Sequence, residues 1–294
     1  MLDLAELREL RATRPETVAD RAARRVRRPL LGADGKLMIV AADHPARGSL
    51  GVRNAPDAMA DRYDLLRRLV VALSRPGVDG VLGTSDIVED LLLLGALEDK
   101  VVVGSMNRGG LQGAVFELDD RFTGYDAGSI AAMGFDGGKM LTRIDLSDAG
   151  SVATLEASGR AVTALAARGL MAMIEPFWSR RVDGRVVNDL SAAAAVRSVA
   201  IASGLGASSA YTWLKLPVVE DMATVMAATT LPTLLLGGDP SGHPAKTYAR
   251  WADALALPGV RGLVVGRALL YPPDGDVAAA VDAAVSLVRT AVTS

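Results

Sequence analysis

The chain has 294 residues, half of them hydrophobic and 22 % charged, with a formal net charge of −2. It contains no cysteine, which excludes thiol catalysis, disulfide frameworks and cysteine-rich zinc sites, and only two histidines, His44 and His243, too few for a multi-histidine metal centre. The near-neutral balance argues against a nucleic-acid partner, and no uncharged apolar run reaches the roughly 20 residues that span a bilayer, so no membrane partner is expected.

Taken in chain order, residues 2–28 read as an amphipathic helical lead. Leu4, Leu7 and Leu10 recur at helical spacing among Asp3, Glu6, Glu9, Glu16 and Asp20, and Arg24, Arg25, Arg27 and Arg28 cluster at its end. The lead lacks the apolar segment of a secretory signal, so a soluble, cytoplasmic protein is expected. Beyond it, short apolar β-branched runs predict strands at 37–42, 78–83, 101–105, 134–142, 170–174, 211–216, 233–236 and 262–265. Helical periodicity predicts helices at 57–73, 87–94, 124–133, 152–167, 191–203, 221–228 and 244–255.

Strands that are apolar on both faces and alternate with helices make an α/β protein with a covered parallel sheet. Eight of them predict a (β/α)8 TIM barrel, with residues 1–36 as an N-terminal helical extension and 37–294 as the catalytic barrel domain. An open doubly wound sheet is the rival, but Asp43-His44-Pro45 follows the first strand where a dinucleotide fold has a glycine-rich turn. The glycine-rich stretch 107–122 is long for a βα loop and is expected to fold over the barrel mouth. Apolar helix faces lead us to expect a homo-oligomer.

In such a barrel the chemistry sits at the C-terminal ends of the strands. Those positions hold Asp43, His44 and Arg47 after the first strand, Lys139, Arg143 and Asp145 on the fourth, and Glu175 after the fifth. They also hold Lys215 on the sixth, Gly237-Gly238-Asp239 after the seventh and Gly266-Arg267 after the eighth. Only five of the 32 basic residues are lysines; Lys36, Lys100 and Lys246 fall at element edges and are expected to be solvated. Lys139 and Lys215 lie inside apolar strands. Tyr211, Trp213 and Lys215 share one face, and burial of an ammonium disfavours its charged form, the condition a Schiff-base nucleophile needs. Two cations facing one cavity weaken each other's protonation, so one amine can react while its neighbour stays charged. The plainer alternative is that each lysine pairs with an acid, Lys139 with Asp145 or Glu175. Glu175 is in turn a candidate counter-ion and proton relay. Backbone N–H groups at Gly237, Gly238 and Gly266, with Arg267 beside them, suit a phosphate. His44 is placed to orient a substrate hydroxyl, whereas His243 reads as a loop residue.

In order and spacing, these pieces resemble class I aldolases of the tagatose-bisphosphate and sulfofructose-phosphate aldolase type, in the superfamily of deoxyribose-phosphate aldolase. The matching segments are Met38-Ile39-Val40-Ala41-Ala42-Asp43 with Arg47-Gly48-Ser49-Leu50, Gly134-Phe135-Asp136-Gly137-Gly138-Lys139, Ile174-Glu175-Pro176, Trp213-Leu214-Lys215-Leu216-Pro217, and Gly262-Leu263-Val264-Val265-Gly266-Arg267-Ala268. The resemblance implies a metal-independent lyase without a cofactor, in which Lys215 forms the Schiff base and Lys139 and Glu175 assist proton transfer. It also implies that Asp43 touches the substrate and Arg267 binds its phosphate or sulfonate; by their strand-end positions, Arg47, Arg143 and His44 are expected as further substrate contacts. The chain departs from the pattern where His44-Pro45-Ala46 separate Asp43 from Arg47, and the run Leu236-Gly237-Gly238-Asp239 is nearer to archaeal-type fructose-bisphosphate aldolases. The chain is also similar to an actinobacterial barrel group associated with inositol catabolism, which implies 2-deoxy-5-keto-gluconate 6-phosphate or a related ketose phosphate as substrate. Rival expectations are a deoxyribose-phosphate or sulfofructose-phosphate aldolase, a non-covalent sugar-phosphate isomerase or epimerase, and a catalytically silent sugar-phosphate-binding regulator.

Overall fold

A short strand with two apolar faces is stable only where both faces are covered. In the computed structural model, which describes residues 4–238 and 244–290, eight such strands pair in parallel. They are β1 (Leu37–Ala41), β2 (Gly80–Gly83), β3 (Val101–Ser105), β4 (Gly137–Ile144), β5 (Met171–Val182), β7 (Thr212–Leu216), β8 (Thr233–Leu236) and β9 (Val260–Val265); β6 (Arg185–Asn188) lies outside the ring. The order β4-β3-β2-β1-β9-β8-β7-β5 closes because β5 also pairs with β4. Closure leaves no open edge in the barrel, so the fold is the expected (β/α)8 barrel and not the open sheet.

Alternation along the strands sorts the side chains into two apolar sets. Leu37, Ile39, Val101, Val103, Met171, Met173, Leu234 and Val264 fill the interior. Met38, Val40, Val81, Val102, Ile174, Leu214 and Val265 face the helices. Around the ring run α1 (Leu4–Thr13) and α2 (Thr17–Arg24) before β1, α3 (Arg62–Ser74) after it, α4 (Ser85–Leu93) after β2, α5 (Ala127–Ala132) after β3 and α6 (Gly150–Ala166) after β4. Then come α7 (Ala192–Ser203) after β6, α8 (Met222–Ala227) after β7, α9 (Pro244–Leu255) after β8, and α10 (Arg267–Leu270) and α11 (Val277–Thr290) after β9. Asp61, Asp126 and Ser191 cap α3, α5 and α7 with side-chain oxygens that accept first-turn N–H groups. Among the described residues, no helix is long and apolar enough to cross a membrane.

The lead is two helices, because Pro15 interrupts the pattern; they pack on α4, where Arg11 pairs with Glu89 and Asp90, and the segment that follows them crosses the N-terminal end of the barrel. Arg25 donates to the Lys100 and Gly134 carbonyls at 2.6 and 2.9 Å, just before β3 and β4. Leu30 packs on the interior apolar set. Two of the lysines expected to be solvated are used at this end: Lys36 is buried and donates to the Val260 carbonyl at 3.2 Å, and Lys100 donates to the Val78 carbonyl at 2.7 Å. Carbonyls beside the strand starts need donors where the chain covers them, and a long amine supplies one. Lys246 is exposed as expected.

At the opposite end, two features rise above the rim. β5 was expected to stop at Ile174, but it pairs with β4 as far as Ile144–Trp178 and then folds back as an antiparallel hairpin with β6. Asp183 and Gly184 at the turn have φ of 50° and 77°, the left-handed pair that an Asp-Gly hairpin turn requires. Residues 107–122 form a strap across the mouth, closed at its base by an Asn107–Phe122 bridge. Asn107 also exchanges two hydrogen bonds with the Leu141 backbone, at 2.6 and 2.8 Å.

Asp79 holds the N-terminal end together. Its carboxylate accepts from the Met38 N–H at 2.7 Å and from Arg28 and Arg289 at 2.5 Å each. Because this joins β1 to both chain-terminal segments, Asp79→Ala should lower the unfolding free energy by about 3 kcal/mol, measured as a fall in the urea midpoint with an unchanged slope.

Candidate active site

Lys139 lies on β4 in register with Ser105 on β3 and Met173 on β5, and Met173 is in register with Trp213 on β7. Two residues further along their strands come Glu175 and Lys215, so all three charged side chains point into the barrel above the last apolar layer. Glu175 divides its carboxylate between the lysines: Oε2 contacts Lys139 Nζ and Oε1 lies 3.0 Å from Lys215 Nζ. Lys139 Nζ also lies 3.1 Å from Asp43 Oδ2. The side chains are almost fully buried, at 2 % exposed for Lys139, 4 % for Lys215 and 11 % for Glu175. Of the alternatives for Lys139, the partner is thus Glu175 together with Asp43, while Asp145 caps a local turn through Ser147.

Sequence reasoning missed Arg108. It follows the end of β3 in the glycine-rich strap, contacts Asp43 Oδ2 and donates from Nε to Ser105 Oγ at 2.8 Å. Ser105 Oγ in turn donates to the same Asp43 oxygen at 3.3 Å. The result is a row of alternating charge, Arg108–Asp43–Lys139–Glu175–Lys215. The signal was available, since any charged residue just past a barrel strand is a candidate. A glycine-rich loop of this length reads as a cover for the mouth, which masks the charged residue at its base.

The electrostatics follow from burial and the neighbours. Burial pushes the Lys139 ammonium well below the usual lysine range; Glu175 opposes this, while Lys215 and Arg108 add to it. Burial alone would raise Glu175, but Lys139 and Lys215 override it and hold the carboxyl well below its usual range, so it is anionic. Arg108 is pushed down to about 10, chiefly by burial against the pull of Asp120 and Glu175, and stays charged at neutral pH. Burial, then Arg267, Lys215 and Lys139, lower His44 well below the usual imidazole range, so it is neutral at pH 7. Its Nδ1 lies 3.8 Å from Asp43 Oδ1.

These groups open into a cavity of about 570 Å³ at the C-terminal end of the strands. Seven cationic side chains line it (Arg47, Arg108, Lys139, Arg143, Lys215, Arg250 and Arg267) against the three carboxylates of Asp43, Glu117 and Glu175. In a chain whose net charge is −2, that excess points to an anionic ligand. Gly237, Gly238, Gly266 and Arg267 line the same cavity. A side chain at Gly266 would collide with the Ala41 carbonyl, so this backbone can approach β1 closely only as glycine. Among the described residues, no group of three or more His, Asp or Glu side chains could hold a metal ion. Asp239 and His243 lie outside the described residues.

Arg47 and Arg143 reach the cavity wall, but their guanidinium groups are committed to the strap. Arg47 donates to the Gly110 and Asn107 carbonyls at 2.6 and 3.0 Å and lies 2.5 Å from Asp120. Arg143 pairs with Glu117 at 2.5 Å and donates to its carbonyl at 2.8 Å. The three residues between Asp43 and Arg47 explain the first case: a short 3-10 turn, Pro45–Arg47, carries the arginine off the strand axis toward the strap. Arg108 stands beside Asp43 instead. From the hairpin, Val186, Asn188 and Leu190 add a wall that the sequence-based elements did not contain.

The model of the Cgl0159-like family matches residues 35–285. The crystal structure of Cgl0159 from Corynebacterium glutamicum (Brevibacterium flavum) is 62 % identical and superposes with a TM-score of 0.96, over 98 % of this chain and 97 % of that one. A Schiff-base-forming fructose-1,6-bisphosphate aldolase is 19 % identical, with a TM-score of 0.65 over 92 % of this chain and 99 % of that one. An archaeal fructose-1,6-bisphosphate aldolase, captured with its catalytic lysine covalently bound to the carbinolamine intermediate, is 18 % identical, with a TM-score of 0.64 over 92 % and 99 %. These two aldolases show a shared barrel fold. No curated protein matches the chain. By the extent of the family match and the identity to Cgl0159, the chain belongs to the Cgl0159-like family.

Proposed function

We propose that this protein is a metal-independent class I aldolase that reversibly cleaves a C–C bond of a phosphorylated sugar through a Schiff base on Lys215. The observation that carries this is one buried carboxylate, Glu175, shared between two buried amines on β4 and β7. The fold shared with Schiff-base-forming aldolases supports it.

The two amines are not equivalent. Lys139 sits against two carboxylates, Asp43 and Glu175, whereas Lys215 has Oε1 of Glu175 as its only carboxylate contact among the described residues. The Lys215 amine adds to the substrate carbonyl, the proton shed by its nitrogen passing through the Glu175 carboxylate to the alkoxide, and the carbinolamine hydroxyl then leaves as water on taking a proton that the Lys139 ammonium supplies through Glu175. The resulting iminium accepts the electron pair of the breaking C–C bond, while the departing carbon becomes an aldehyde as its hydroxyl gives up a proton. Asp43 is suited to accept that hydroxyl hydrogen through Oδ1, because Arg108, Lys139 and Ser105 all converge on Oδ2. Protonation of the enamine and hydrolysis of the iminium then return Lys215. The substrate phosphate is held by backbone N–H groups of Gly237, Gly238 and Gly266 and by Arg267. Candidate substrates are 2-deoxy-5-keto-gluconate 6-phosphate, deoxyribose 5-phosphate and sulfofructose 1-phosphate.

Borohydride reduction in the presence of dihydroxyacetone phosphate or one of these sugars should give a single adduct by intact mass, and Lys215→Met should abolish it. An adduct that persists in Lys215→Met, or none in the wild type, sinks the assignment. Cleavage should survive EDTA.

Glu175→Gln should lower kcat by about 10²–10⁴ and should also change acid stability. The folded-state pKa of Glu175 lies below its ordinary value of 4.5, so its contribution is present above that pH and lost as pH falls through the depressed range. In urea titrations from pH 7 downward, the variant should be less stable at pH 7 and show a smaller further loss below about pH 4.5 than the wild type.

A further inference from the structure

The two ends of the cavity differ in whether their cations are already neutralised. Three arginines reach the wall on the strap side, and each has a carboxylate against it: Arg47 with Asp120, Arg143 with Glu117, and Arg108 with Asp43. All six side chains are buried. The Nη groups of Arg47 and Arg143 also donate to strap carbonyls, while the Nε of each is buried without a partner. Across the cavity, Arg267 and Arg250 have no carboxylate partner among the described residues; Arg267 donates only a long hydrogen bond, 3.4 Å, to the Gly51 carbonyl, and Arg250 donates to the Val218 carbonyl at 3.0 Å.

A phosphate, sulfonate or carboxylate arriving at the strap would have to stand against Asp120, Glu117 or Asp43, or displace one of them from its arginine. Either event sets like charges together or strands a buried carboxylate, and both are costly away from water. A hydroxyl meets no such barrier and finds the neutral side chains of Gln112, from the strap, and Asn188, from the hairpin, lining the same cavity. We infer that the substrate carries a single anionic terminus, seated at the Arg267 end, and presents only uncharged hydroxyl and carbonyl groups to the strap. The class is a sugar monophosphate, as against a bisphosphate, a sulfonated sugar phosphate or a phosphorylated sugar acid. This rests on the sugar-phosphate reading above and selects among its candidates.

The test is calorimetric binding of fructose 1-phosphate, fructose 6-phosphate and fructose 1,6-bisphosphate to the wild-type protein and to Lys215→Met, which cannot turn them over. The bisphosphate should bind within about threefold of the better monophosphate, because its second phosphate gains no charge-assisted contact. A gain of about tenfold or more, the size of one such contact, overturns the inference, as does failure of both monophosphates to bind. Arg267→Gln should weaken all three by at least about tenfold, and a selective loss of the bisphosphate alone would count against the inference. Glu117→Gln, which frees charge on Arg143, should shift the ratio toward the bisphosphate, and an unchanged ratio in the folded variant counts against it too. If binding follows the expected pattern but borohydride traps no adduct, the aldolase chemistry fails and the single-anion site stands.

Discussion

Moving an ammonium from water into a barrel costs several kcal/mol even after relaxation, and a carboxylate costs about as much. Five such groups coexist here because their charges alternate along a row anchored on four different strands and the strap. Remove the alternation and the same residues become mutually destabilising. Glu175 is the member on which the others depend, since it is the sole ion-pair partner of Lys215 among the described residues and one of two for Lys139. The fold follows this requirement. Glycines at 137 and 138 let β4 lie close to its neighbours, where side chains would meet Met171 and Met106, and bring Lys139 into register with Ser105 and Met173.

Around this row the molecule separates stability from chemistry. The N-terminal end is closed by Leu30, Arg25 and the Asp79 cluster, which involve residues far apart in the chain but none of the cavity. The C-terminal end is roofed by the strap and the β5–β6 hairpin. Those two are themselves joined: Arg181 donates to the Val115 carbonyl at 2.6 Å and pairs with Asp148 at 2.8 Å. A third link comes from Thr154 on α6, which donates to the Leu118 carbonyl at 2.7 Å and accepts from the Asp120 N–H at 3.0 Å. The strap is therefore ordered by polar contacts, although Val115 and Phe116 at its tip stay exposed.

The barrel was legible because its strands carry a strong signal, short β-branched runs separated by helical periods, and the lysines stood out because an ammonium in such a run is costly. Boundaries were less legible: the fourth strand starts at Gly137, not at residue 134, since Gly134 takes a positive φ in the preceding turn. The hairpin was hidden by Pro176, which reads as a stop, although in β5 it pairs beside Thr142 with its missing N–H tolerated near the rim. Arg47 and Arg143 show a different gap. Position at a strand end is readable from sequence, but which partner occupies a guanidinium is a long-range matter, here decided by Asp120 and Glu117 in a loop with no periodicity. Lys36 was misjudged for the same reason, its carbonyl partner lying at Val260.

The length of β5 has one more implication. A single twelve-residue strand carries Glu175 at the depth of the two buried lysines and, beyond the rim, the hairpin whose other arm supplies Asn188 to the cavity wall. Backbone pairing to β4 continues along it as far as Trp178, so the two ends form one stiff lever. Insertions or turn changes around Asp183 and Gly184, seemingly remote and surface-borne, would therefore be transmitted to the carboxylate between the lysines. The hairpin thus couples the shape of the cavity wall to the position of the carboxylate shared by the two lysines.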